Sequence, residues 1–300
     1  MSIAILAAHT EDNKNKYFAA YNLSLALNAT LYNVNERLIK EDNLIIVGMR
    51  GLEHYKKIRN IIFKTKAVIF SDTNFCRYYK WCNEYVSEHN IFVYAMPDLH
   101  DFLFCKYVPA YQTITIPDII IKKPDDRIVI CHSPGTIKGK FNYKGTNQIN
   151  EVVKKLSKKY VIEYKLLQGF SHEKCIKEKS TAHIFIDQII KNNPFVDQNR
   201  FGNQIIYKGG LGKSGIEGML LNCCVITSMD HPNTEPYFPP PPIIMTDYRD
   251  FELDLERAVC DINYRNKLVK RQKRWADKYC SPEFVSMNVT RHINGTANTP

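Results

Sequence analysis

The sequence predicts an α/β protein made of two parallel-sheet domains. Three observations predict it: short, nearly continuous apolar runs alternate with segments of helical period, a proline-bearing stretch interrupts that alternation once, and the strand pattern restarts after it. The apolar runs are IAILAA (3–8), LIIVGM (44–49), AVIFSD (67–72), IFVYAM (91–96), RIVICH (127–132), VIEYKLL (161–167), HIFIDQ (183–188), CVITS (224–228) and PIIMTD (242–247). Their length and near-uniform hydrophobicity suit strands buried on both faces. Between them, NKYFAAYNLSLALNA (15–29), EHYKKIRNIIFK (53–64), TNQINEVVKKLSKK (146–159) and SGIEGMLLN (214–222) carry the helical period.

The interruption is VPAYQTITIPDIIIKKPDDR (108–127), with three prolines and no helical period. It reads as a crossing between domains. The expected boundaries are residues 1–120 for a first Rossmann-like domain and 127–280 for a second, with 281–300 packing back on the first. Within the last segment a basic helix is expected over about 262–279, broken at Pro282. Its apolar residues Leu268, Val269, Trp275 and Tyr279 lie a turn or two apart, which suits packing on a domain better than deep insertion into lipid. PPPP (239–242) is a stiff surface loop, and no short repeat is present.

Composition narrows the function classes. Of 300 residues, 44% are hydrophobic and 24% charged, as in ordinary globular proteins. No apolar stretch is long enough to span a bilayer, and the N-terminus lacks a positive n-region, so a cytoplasmic protein is expected. The nine cysteines include no CxxC pair, which argues against zinc or a disulfide framework and for buried, inert thiols; no metal site is expected. The net charge is +10, and residues 126–300 carry 26 basic against 18 acidic groups. Such a balance attracts polyanions: nucleic acid, anionic lipid headgroups, or the phosphates of a nucleotide.

Chemistry concentrates in YKGGLGKSGIEGMLLNC (207–223). GKS is similar to the end of a P-loop, but the glycine required five positions before Gly212 is Tyr207. The physics survives that mismatch. A glycine loop opening a helix presents unpaired amides and the positive end of the helix dipole, a natural diphosphate cradle. Glu217, one turn inside, stands where a carboxylate can accept from a ribose diol.

HSPGTIKGKFNYKGTNQINEVVKKL (132–156), HIFIDQ (183–188) and LGKSGIEGMLLNCCVITS (211–228) together resemble the second domain of retaining GT-B glycosyltransferases of the "group 1" type. Phage DNA-modifying glycosyltransferases are one branch of that resemblance. It implies a GT-B fold, two Rossmann-like domains with parallel sheets facing a central cleft. It also implies a nucleotide-sugar co-substrate, a UDP-sugar first of all, with no other cofactor and no metal. By this resemblance Lys144 meets the donor diphosphate, with Lys138 a second basic residue nearby. Gly212, Lys213 and Ser214 form the phosphate loop, Glu217 holds the ribose, and Asp187 and Gln188 form a donor-facing strand end. One departure concerns the sugar: the second glutamate often found eight positions before the ribose glutamate is Gly209 here. The segment 189–206 is also longer than the pattern leads one to expect.

The first domain resembles the family only in architecture. In MPDLHDF (96–102), His100 and Asp101 follow a strand and are the candidate catalytic residues; His100 could equally cap a turn after Pro97. His9, after the first strand, is a weaker candidate. The expected activity is sugar transfer to a hydroxyl. A basic protein without a membrane span suits 5-hydroxymethylpyrimidine in double-stranded DNA as acceptor. A lipid- or polysaccharide-linked glycan, with peripheral membrane contact, is the alternative. From other classes, a nucleotide-sugar epimerase or a non-catalytic nucleotide- or nucleic-acid-binding protein stays open.

Overall fold

The computed structural model describes residues 2–7, 19–33, 41–47, 63, 65–70, 74–95, 107–109, 114–134, 144–189, 195–198, 204–207, 210–228, 238–246 and 248–293. The chain divides into two compact units. One comprises Met1–Thr115, Asn233–Pro239 and Tyr279–Pro300; the other comprises Ile116–Pro232 and Pro240–Lys278.

The first unit contains β1 (Ile3–Ala7), α1 (Ala19–Leu27), β2 (Thr30–Asn33), β3 (Asn43–Val47), β4 (Thr65–Phe70), α2 (Asn74–Glu88), β5 (Phe92–Ala95) and β6 (Tyr107–Pro109). Its six strands lie in the order β2-β1-β3-β4-β5-β6, and all pairings are parallel. β1 is buried at every position, as its uninterrupted apolar run requires. Helix α8 (Pro282–Ile293) closes one face of this unit from the far end of the chain. Val285 and Val289 join the cluster of Ile3, Ile5, Ala20, Leu23, Ile45 and Tyr94, and the Tyr94 hydroxyl donates to the Asn288 carbonyl at 3.2 Å. Pro282 starts α8, where its missing N–H costs no helical hydrogen bond.

The second unit contains β7 (Ile128–His132), α3 (Thr146–Leu156), β8 (Ile162–Leu166), α4 (His172–Lys179), β9 (Ile184–Ile186), β10 (Phe195–Gln198), β11 (Gln204–Tyr207), α5 (Lys213–Leu220), β12 (Cys224–Thr227), β13 (Ile244–Met245), α6 (Phe251–Cys260) and α7 (Ile262–Tyr279). Five strands form a parallel sheet in the order β13-β12-β9-β7-β8. Ile130, Ile184, Ile186 and Ile226 from the sheet pack with Ile149 and Val153 of α3 and with Phe251 and Leu255 of α6. β10 and β11 pair antiparallel as a separate hairpin within the long segment after β9.

Every apolar run of the sequence becomes a strand in its expected place. The short strands β2, β6, β10 and β11 add to them, because TLYN, YVP, FVDQ and QIIY are too short or too mixed to stand out. Of the helical segment expected over 53–64, only Phe63 is among the described residues, so that expectation lies outside them otherwise. Among the described cysteines all thiols are free, and Cys82, Cys131, Cys223, Cys224 and Cys280 are buried. Cys260, on the last turn of α6, is exposed, so burial of the thiols is not uniform. Among the described residues, no helix is long and apolar enough to cross a membrane.

Candidate functional site

From β7 the chain of the second unit proceeds to β8 on one side and then to β9 on the other. The crossover helices therefore diverge at the β7/β9 boundary, leaving a crevice at the carboxyl ends of those two strands. The chemistry-bearing residues gather there. His132 ends β7 and pairs in register with Ile186, the last residue of β9; Asp187 follows directly.

Asp187 is fully buried and ties three segments together. Its backbone N–H donates to the Ile226 carbonyl at 3.0 Å, continuing the sheet. Its Oδ1 receives Lys144 Nζ at 2.7 Å, and its Oδ2 accepts the Gly212 N–H at 2.8 Å. One carboxylate thus fixes both the lysine before α3 and the glycine that caps α5. Gln188 is nearly as buried; its Nε2 donates to the Gly210 carbonyl, which also accepts the Thr227 hydroxyl at 3.1 Å. The loop before α5 is therefore held by side chains on the strand ends rather than by its own sequence.

Two glycines are required by close approach. Gly145 caps α3 with φ +70°, and a Cβ there would lie 1.8 Å from the Ile189 carbonyl oxygen. Only glycine lets Lys144 run directly into α3 while its own carbonyl accepts the Ile189 N–H at 3.0 Å. At Gly215, in the first turn of α5, a Cβ would meet Leu211 Cδ1 at 2.6 Å and Asp187 Oδ2 at 3.0 Å. The glycine richness of the loop is in part the space that Asp187 occupies.

His132 is buried, with Nδ1 donating to the Ile186 carbonyl at 2.8 Å and Nε2 accepting the Thr146 hydroxyl at 3.0 Å. Burial, together with nearby Lys144, pushes its pKa down to about 4, so the ring is neutral at physiological pH. The neutral ring couples the ends of β7 and β9 to the first residue of α3.

Glu217 lies one turn inside α5 and is also buried. Its Oε2 receives Lys179 Nζ at 2.6 Å, its Oε1 receives His172 Nε2 at 2.7 Å, and Lys213 Nζ stands 3.7 Å from Oε1. Burial alone would raise this carboxyl. Lys179, His172 and Lys213 outweigh it and hold the pKa at about 2. Lys179 Nζ also donates to Ser214 Oγ at 3.2 Å and lies 4.6 Å from the centroid of the Phe185 ring. Lys179 and His172 carry no sequence signal that sets them apart from the other charges of HEKCIKEK, and the pattern gave them no role.

The structure therefore brings Lys144, Asp187, Gln188, Gly212, Lys213, Ser214 and Glu217 to one strand-end cluster. Lys138, His100, Asp101, His9 and Gly209 lie outside the described residues. The N-terminus of α5 brings its first amides and the positive end of its dipole to this cluster, with Lys144 paired to Asp187 and Lys213 standing 3.7 Å from Glu217. Chemically this is a cationic anion cradle with a buried carboxylate beside it. Among the described residues, no cluster of three His, Cys, Asp or Glu side chains could hold a metal ion.

Two solved structures share this architecture along the whole chain. Sucrose-phosphate synthase (tll1590) from Thermosynechococcus elongatus matches at a TM-score of 0.60 and 9% identity, covering 98% of both chains. Anabaena Alr3699/HepE, solved in complex with UDP and glucose, matches at a TM-score of 0.62 and 8% identity, covering 97% of this chain and 99% of that one. The chain has the GT-B fold. No family model matches the sequence, and no curated protein does either. In this GT-B chain the described part of the motif cluster belongs to the second unit alone, at the switch point between β7 and β9.

Proposed function

We propose that this chain is a glycosyltransferase that takes its sugar from a nucleoside diphosphate, and that the β7/β9 crevice holds the donor. The observation that carries the reading is the Lys144–Asp187–Gly212 junction. The buried Asp187 carboxylate accepts from Lys144 Nζ and from the Gly212 N–H, which fixes the lysine beside the start of α5, a helix whose first turn would offer its amides to a diphosphate. The fold shared with HepE, whose structure holds UDP and glucose, favours a UDP-sugar.

In the proposed reaction the bond between the anomeric carbon and the diphosphate oxygen breaks, an acceptor hydroxyl oxygen forms the new bond to that carbon, and the hydroxyl proton passes to the departing diphosphate. Negative charge grows on the departing diphosphate. Lys144, Lys213 and the first amides of α5 would stabilise it, with Lys138 as a further cation, so that the step proceeds without a divalent metal. Ser214 would offer its amide beside them. Glu217 would accept from the ribose diol, sharing Oε1 with His172; a carboxylate has about four acceptor sites, so the existing hydrogen bonds leave capacity. Asp187 and Gln188 would act by positioning the loop. Retention of configuration, and roles for His100 and Asp101 in orienting acceptor or sugar, rest on the family resemblance.

For the acceptor we propose 5-hydroxymethylpyrimidine in double-stranded DNA, supported by the +10 charge and its concentration in residues 126–300. The deciding experiment is a donor panel of UDP-, GDP- and other nucleotide sugars. Released nucleotide is measured with and without hydroxymethylated DNA, and with EDTA. DNA-dependent release that persists in EDTA is the expected result. Release onto oligosaccharide alone would replace the acceptor, donor conversion without any acceptor would mark an epimerase, and no release from any donor would overturn the activity.

A further inference from the structure

The residues of α7 (262–279) include seven basic and one acidic, a balance of +6 in a chain whose total is +10. Their distribution around the helix is uneven. Arg265 is buried, and its Nη1 donates to the carbonyls of Ala258 and Val259 at 2.7 and 2.9 Å, where it caps α6. Lys273 pairs with Asp277 at 2.8 Å. Lys267, Lys270, Arg271 and Arg274 are all exposed and, among the described residues, have no carboxylate within ion-pair distance. At 100° per residue these four fall within about 100° of arc, and the exposed Lys278 continues the same stripe. The stripe is held on a fixed helix. Leu268 and Trp275 are buried, and the Gln272 side chain accepts from the Val225 N–H at 2.9 Å and donates to the Val225 carbonyl at 3.2 Å.

We propose that this face of α7 docks the sugar–phosphate backbone of double-stranded DNA. The proposal deepens the acceptor reading given above and rests on it. From Lys267 to Arg274 the stripe runs about 10 Å at 1.5 Å per residue, within reach of several phosphates of a duplex that carries one charge about every 1.7 Å of its axis. Lys267, Lys270, Arg271 and Arg274, fixed on a packed helix, match the dense negative charge of a duplex, and each neutralised phosphate releases counterions. An anionic membrane fits the face less well. A helix lying in a bilayer interface needs exposed apolar side chains beside its cations. Here Leu268 and Trp275 are buried in the unit, and the exposed Ile262 sits about 140° around the helix from Lys267.

The test uses the full chain and a short fluorescent DNA duplex, with binding followed by anisotropy over a salt series. The quadruple variant Lys267→Gln, Lys270→Gln, Arg271→Gln, Arg274→Gln is expected to bind about a hundredfold more weakly at low salt. Its salt slope should be shallower by about 0.9 for each phosphate no longer neutralised. The control Lys154→Gln, Lys158→Gln, which removes exposed lysines in and just after α3, should keep the wild-type slope. Should the quadruple variant fail to fold by thermal melting, the doubles Lys267→Gln/Lys270→Gln and Arg271→Gln/Arg274→Gln should each show about half the slope change. Wild-type affinity and slope in the folded variants would overturn the proposal. So would loss of binding to phosphatidylserine vesicles with duplex binding intact, which would make the stripe a membrane face. The acceptor reading fails separately: a wild-type protein that binds duplex through α7 yet transfers no sugar to hydroxymethylated DNA would leave the docking surface standing.

Discussion

Lys179 and Glu217 meet at 2.6 Å with neither side chain more than 3% exposed. Desolvating both charges is expensive, and the pair persists because Ser214, His172 and Lys213 add polar contacts around it. Lys179→Met should therefore leave a buried, under-compensated carboxylate and cost about 3–5 kcal/mol, read as a shift in the urea midpoint. Adding Glu217→Gln to the same chain should recover much of that loss. A cost of about 1 kcal/mol or less for the single variant would mean that the pair behaves as a solvated one.

Acid should unfold the second unit in two stages. His132 and His183 are both pushed to about 4 from 6.5, first by burial and then by nearby cations, Lys144 for one and Lys123 with Arg265 for the other. Because their folded values are depressed, the unfolded state takes protons first, and stability falls as pH drops from about 6.5 to about 4. Glu217, held at about 2 against 4.5, contributes stability that is complete above its unfolded value and is lost as pH falls toward 2. His132→Gln should remove about half of the upper stage and leave the lower one, seen in urea midpoints across the range. An unchanged upper stage would show that His132 is protonated in the folded protein.

Gly145→Ala should damage the site without touching a polar side chain. Its Cβ would sit 1.8 Å from the Ile189 carbonyl oxygen at a φ of +70°, so the backbone around Lys144 must move. The expected cost is about 1–3 kcal/mol of stability, with about a tenfold or greater loss of UDP affinity by calorimetry. Alanine tolerated on both measures would place the Lys144 loop elsewhere.

Lys144→Ala and Glu217→Ala should each lower kcat/KM by about a hundredfold or more, the usual effect of removing one pre-oriented stabilising group. The lysine effect should fall mainly on kcat, since diphosphate charge develops in the transition state. The glutamate effect should fall mainly on KM. Near-normal kinetics in both variants would remove the site assignment.

The sheets were legible because runs such as RIVICH and HIFIDQ are apolar enough to demand burial on both faces. The glycine-rich starts of α3 and α5 were legible because Gly145 and Gly215 stand where a Cβ has no room, which leaves a residue-level trace. Lys179 and His172 were not. They stand 38 and 45 positions from Glu217, on a short helix whose charges are indistinguishable from a solvated face until the fold buries one of them. His132 likewise reads as the polar end of a strand, and only the parallel register with Ile186 reveals its partners.

A nucleoside diphosphate is proposed to bind in the β7/β9 crevice through Lys144 and the α5 cap. Calorimetric titration of UDP, UMP and uridine into the wild-type protein and the Lys144→Met variant tests it most directly. UDP should bind most tightly, and the loss in the variant should be largest for UDP and smallest for uridine. Equal affinities for the three ligands, or a variant indistinguishable from wild type, would contradict it.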